Sequence, residues 1–170
     1  MRLAKSLLVG AMAMLAAPAL AEPVQWSSAV TAQGTATVEV PCSEQSVQKR
    51  ERDGLEAIRC DHAGLINYLF VMPVEMLAKF NFPGGSISEI RANIAADAGT
   101  EYLNDGSVSG FQGFYSEGMS SSGKVALGVV DLRDGRYVML NVQSDGSAEA
   151  EQAISDVFVR SSGSLQVVQP

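Results

Sequence analysis

The first 21 residues decide how much of this chain folds and where it does so. Arg2 and Lys5 give a positive start, residues 7–20 are apolar and uncharged, and Ala19-Leu20-Ala21 carries the small-x-small pattern read by signal peptidase. The apolar run is about 14 residues, short of the roughly 20 needed to span a bilayer. Residues 1–21 are therefore read as a secretory signal peptide cleaved after Ala21. Residues 22–170 are read as one globular domain that works in the periplasm or outside the cell. Glu22, rather than a cysteine, follows the cut, which argues against a lipid anchor. No later segment is long and apolar enough to be a transmembrane helix.

That compartment gives the cysteines their meaning. Cys42 and Cys60 are the only two in the chain, and an even count in an oxidising space reads as one disulfide. A redox pair would need the C-x-x-C spacing that lowers one thiol pKa, and that spacing is absent. Composition agrees with a folded domain: 46% hydrophobic and 18% charged is the balance of a globular core rather than of a disordered chain. The net charge is −7 for the whole sequence, and about −9 once Arg2 and Lys5 are gone. Such a surface repels phosphate backbones, so nucleic acid is not an expected partner. Another envelope protein is the more natural one.

Along the mature chain, residues 22–34 read as an extended or loose polar lead-in. Residues 35–40 read as a strand ending at Pro41. The dense charges of 49–54 close in Asp53-Gly54 and read as an exposed connection with a turn. Residues 55–60 resume as a strand. A hairpin flanking this turn would bring Cys42 and Cys60 together. Residues 65–72 have the length and Tyr/Phe/Val content of a buried central strand, and 81–85 is a loop. Ser86 and Glu89 form a capping box ahead of an amphipathic helix with Ile87, Ile90 and Ile94 on one stripe. Residues 107–115 read as a single strand bent at its glycines. Two further β runs, 124–132 and 136–142, flank the hairpin signal Asp134-Gly135. Ser147 caps a second helix, broken at Ser161-Ser162-Gly163, and 165–168 closes with a short strand. The fold class is α+β: a mainly antiparallel sheet with two amphipathic helices packed on it.

No arrangement of residues announces chemistry. Gly118-Met119-Ser120-Ser121-Ser122-Gly123-Lys124-Val125 has the glycine and lysine spacing of a phosphate loop. Val125 stands where a magnesium-binding hydroxyl is required, and β-rich sequence follows where a helix should open. His62 is the only histidine, and no G-x-S-x-G elbow accompanies it. One histidine and two bridged cysteines leave only carboxylates for a metal. No catalytic, cofactor-binding or metal-binding residue is assigned. The charge run supplies a possible partner contact in Lys49, Arg50 and Arg52, a small basic point for an acidic partner, though such runs are usually solvated faces.

The second half, roughly 86–168, has a familiar order. A helix precedes β runs that end in Asp134-Gly135-Arg136-Tyr137-Val138-Met139-Leu140. A final helix over 150–158 and the short strand Leu165-Gln166-Val167-Val168 follow. This resembles the PsbP-like family, small α/β sandwich proteins found as extrinsic photosystem subunits and as secreted bacterial relatives. The resemblance implies an accessory or binding role and carries over no functional residue.

These readings converge on a secreted or periplasmic, non-enzymatic accessory or binding protein. Two alternatives make different demands on structure. A carboxylate-based hydrolase using residues such as Asp131 or Glu117 needs two converging acids in a cleft. A carrier of a small apolar ligand needs a dry cavity between helix and sheet.

Overall fold

The computed structural model describes residues 24–80, 86–96 and 99–168. The expected leader and the 81–85 loop lie outside them. Among the described residues, ten strands and two α-helices follow in order: β1 (Ser27–Val30), β2 (Ala36–Val40), β3 (Gln48–Arg52), β4 (Leu55–His62), β5 (Leu65–Pro73), α1 (Ile87–Ala96), β6 (Thr100–Val108), β7 (Phe111–Ser120), β8 (Gly123–Asp131), β9 (Arg136–Ser144), α2 (Ala148–Ser164) and β10 (Gln166–Val167). Seven of the strands form one sheet in the order β3-β4-β5-β9-β8-β7-β6, and β1-β2-β10 form a second. Every pairing in both sheets is antiparallel, in keeping with the α+β class.

Two-residue turns build the large sheet. Asp53-Gly54, Ala63-Gly64 and Ser109-Gly110 all hold positive φ at both residues, the geometry whose twist matches the flanking strands of a tight hairpin. The third of these turns corrects the single bent strand expected over 107–115. Ser109-Gly110 reverses the chain, so β6 and β7 lie side by side with Val108 opposite Phe111.

The two faces of the large sheet are covered differently. On one face lie α2 and the small sheet, sharing a core with Val38 and Val40 from β2, Ile58, Leu69, Val71, Val138, Leu140 and Val142 from the large sheet, and Ile154, Val157 and Phe158 from α2. On the other face, α1 and the 3₁₀ segment Val74–Phe80 pack Ile90, Ile94 and Leu77 onto Met72, Phe114, Leu127, Val129, Tyr137 and Met139. Among the described residues, that second layer leaves β3 and β4 largely uncovered. β9 sits at the middle of the sheet, as its apolar run 137–140 predicts, and β5 is interior. The alternating burial of β5, however, shows one face closed and the other half-open.

The lead-in 22–34, read as extended or loose, contains a strand, β1, paired with β2. Three further expectations need correction. The charge run 49–54 is mostly strand: β3 pairs with β4 along its whole length although all five of its residues are exposed, as charged edge strands do. The disulfide does form between Cys42 and Cys60, with Cα atoms 6.0 Å apart, but not across a hairpin. Cys42 follows β2 in the small sheet and Cys60 lies in β4 of the large one, so the bond joins the two sheets. Finally, α2 runs through Ser161-Ser162-Gly163 to Ser164. Ser161 is buried and its hydroxyl donates to the Glu39 carbonyl at 2.8 Å, while the Asn67 amide donates to it at 3.0 Å. Tertiary contacts hold this last turn against its weak helical propensity.

The helix starts are as the sequence reads them. Ser147 accepts from the Ala150 amide at 3.4 Å and Ser86 from the Glu89 amide at 3.3 Å.

Candidate anion-binding face

Strand periodicity sorts the charge run. Successive residues of β3 point to opposite sides, and register fixes which side is which. Lys49 lies opposite Ile58 and Glu51 opposite Glu56, both on the face that carries α2 and the small sheet. Gln48, Arg50 and Arg52 lie opposite Arg59, Ala57 and Leu55, on the open face. The three residues expected to act as one contact point are therefore divided: Arg50 and Arg52 share a face, and Lys49 belongs to the other.

Arg50 and Arg52 gain neighbours that the linear sequence does not place beside them. Arg59 lies opposite Tyr68, and Ala57 opposite Phe70. Gln48, Arg50, Arg52, Leu55, Ala57, Arg59, Tyr68 and Phe70 line a groove of about 340 Å³. Its floor is low because Ala57, the smallest of these side chains, separates Arg50 from Phe70. Tyr68 and Phe70 stack with ring centroids 5.4 Å apart. The Arg59 guanidinium sits 5.3 Å from the Tyr68 ring centroid, a cation–π distance.

The three arginines of this face differ in how far they are already paired. Arg59 donates two hydrogen bonds to Asp61, at 2.8 and 2.7 Å, which raise its pKa and fix its plane. Arg52 meets Asp53 at 3.3 Å, with both side chains more than three-quarters exposed, a contact that water and salt screen almost fully. Arg50 makes no ion pair with any described residue. The exposed guanidiniums of Arg50 and Arg52, with Arg59 held over Tyr68 beside them, make a surface suited to carboxylates: planar donors for bidentate contact and apolar area for the stems.

The other candidates are not brought together. Glu117 pairs in register with Ala126 on the α2 face, accepts from the Ser155 hydroxyl at 2.9 Å and bridges Lys124 at 2.6 Å. Asp131 lies opposite Tyr137 on the other face, where it accepts from the Arg133 amide at 2.7 Å. A sheet stands between these two acids, so they cannot flank one bond. The 118–125 run folds as the β7–β8 hairpin, and a strand, β8, follows its loop where a phosphate loop would open a helix. His62 ends β4 at the Ala63-Gly64 turn. No group of three or more histidine, cysteine, aspartate or glutamate residues is placed to hold a metal among the described residues.

A second concavity lies on the α2 face. A slot of about 290 Å³ opens between the C-terminal half of α2 and β6–β8, walled by Tyr115, Val130, Phe158 and Leu165. Gly106, Gly113 and Gly128 form its floor, where missing side chains leave the space.

Among solved structures, the chain is similar to the Ran-binding protein Mog1p of Saccharomyces cerevisiae, at 10% identity and TM-score 0.50, over 86% of this chain and 97% of that one. It is similar also to a point mutant of protein Mog1, at 10% identity and TM-score 0.49, over 85% and 97%. LpqN, involved in cell envelope biogenesis of Mycobacterium tuberculosis, matches at 10% identity and TM-score 0.37, over 88% and 87%. No family model and no curated protein sequence matches the chain. At this identity the Mog1p likeness is one of fold: an α+β arrangement spanning most of both chains.

Arg59, Tyr68 and Phe70 are the residues of this candidate face that sequence reasoning misses. The signal for them is period two. Reading 48–52 as a strand selects Arg50 and Arg52 and rejects Lys49.

Proposed function

We propose that this protein is an extracytoplasmic, non-enzymatic binding module that docks an acidic segment of another envelope protein on its β3–β5 face. One observation carries the reading: in a chain of net charge −7, three arginines converge beside a stacked aromatic pair on an uncovered sheet face. The cleavable-looking leader and the inter-sheet disulfide support the location, since such bonds persist outside the reducing cytoplasm. The order of 86–168, a helix, four antiparallel strands, a second helix and a short strand, supports placement beside the PsbP-like accessory proteins.

The test is calorimetric binding of a poly-glutamate peptide to the mature protein at low and high salt. The Arg50→Glu/Arg52→Glu double variant should weaken binding by about tenfold or more, and high salt should weaken it in the parent. Lys49→Glu, on the opposite face, should change it by less than about threefold. No measurable binding by the parent, or equal losses from Lys49→Glu and the double variant, would overturn the reading.

The apolar slot beneath α2 favours a second reading, a carrier for a small apolar ligand. Displacement of a fluorescent hydrophobic probe, and its loss when Gly128 is replaced by a bulky residue, would separate that role from the first.

A further inference from the structure

The groove described above is open at one long side, because β3 is the edge of its sheet. We infer that the acidic partner segment binds in extended form, adding to β3 as an eighth strand. The inference rests on the proposed use of this face and specifies how the partner is held.

Three features point to strand addition. All five side chains of β3 are exposed, and β4 pairs with it along one side only, leaving the backbone groups of the other side as a row of donors and acceptors. The side chains on the groove side are Gln48, Arg50 and Arg52, so an incoming strand meets two guanidiniums at alternate positions, about 7 Å apart at the rise of an extended chain. On the other side Glu51, held by the Gln33 amide at 2.6 Å, lies next to Lys49. Negative charge is thus favoured on the groove side of the added strand and gains no clear advantage on the other. The partner pattern is therefore an acidic residue at every second position, with uncharged residues between.

The opposite edge of the sheet lacks these features. β6 carries Glu101 and Asp105, and Asp105 is bridged to Arg91 of α1 at 2.8 Å. Among the described residues, it offers an acidic segment no unpaired arginine comparable to Arg50. Strand addition uses main-chain hydrogen bonds for affinity and alternate side chains for selectivity, and β3 offers both.

The experiment uses the mature protein and a fluorescent peptide alternating glutamate with threonine. Two further versions are N-methylated at the odd or at the even positions, which removes the N–H donors facing one side at a time. A fourth has the same composition with its glutamates in one block. Strand addition requires that one N-methylated version lose about tenfold or more in affinity while the other stays within about threefold, and that the blocked peptide bind more weakly than the alternating one. If both N-methylated peptides bind like the unmodified one, the segment is held by charge alone; strand addition is then wrong and the acidic-partner reading stands. If no acidic peptide binds, both are wrong.

Discussion

The Thr35 hydroxyl donates to the buried Glu56 carboxylate at 2.6 Å, and the Gln33 amide donates to its other oxygen at 2.8 Å. The turn between β1 and β2 thus grips β4 of the large sheet through one side chain. Burial by itself would raise the Glu56 pKa, but hydrogen bonds from Thr35, Thr31 and Gln33, with the nearby Arg136 charge, hold it below the usual carboxylate value.

The sign of the pH effect follows. A folded pKa below the unfolded value, about 4.3 for glutamate, stabilises the fold fully above that pH. The contribution is lost as pH falls through the folded pKa. Glu56→Gln should destabilise by about 1–3 kcal/mol at neutral pH. It should also flatten the acid limb of a stability–pH curve below about 4.3, measured by urea unfolding.

Breaking the Cys42–Cys60 bond removes a constraint on a separation of 18 residues. Reduction, or a Cys42→Ala/Cys60→Ala variant, should cost about 3 kcal/mol. Paired thermal melts with and without reductant measure it, and a thiol assay on the native protein should find no reactive cysteine.

Two glycine substitutions should act in opposite directions. A Cβ at Gly113 would stand 2.6 Å from the Val129 carbonyl oxygen, backbone that cannot step aside, so Gly113→Ala should destabilise by about 1–3 kcal/mol. Gly163 lies in the last turn of α2 with open space around it, so Gly163→Ala should stabilise, by up to about 1 kcal/mol. Chemical denaturation reads both.

Ser161→Ala removes the donor to the Glu39 carbonyl and the acceptor for Asn67. Leaving buried Asn67 without that partner should cost about 1–3 kcal/mol. Amide exchange should quicken in the last turn of α2 before it does so in β9.

What the sequence discloses depends on the range of the interaction that decides it. Caps at Ser86 and Ser147 and the hairpin at Asp134-Gly135 are local, and they read correctly. The class of the fold follows from apolar periodicity. The failures are those where distant contacts overrule local preference. Ser161-Ser162-Gly163 looks like a break until Asn67 and Glu39 are known to hold it. Residues 48–52 look like a loop until β4 is known to pair with them. Cys42 and Cys60 are correctly matched, yet which elements they join is a matter of sheet assignment, which spacing does not encode. Of the candidate face, Arg50 and Arg52 stand out in the sequence as charge, and Arg59, Tyr68 and Phe70 join them only through register.

Since β3 lends no side chain to either core, its sequence is nearly free of the demands of folding. Other residues that suit a strand could stand at its exposed positions with both cores keeping every side chain they now hold. A lineage carrying this architecture could therefore exchange one client for another by changing that rim alone, leaving the rest of the gene untouched.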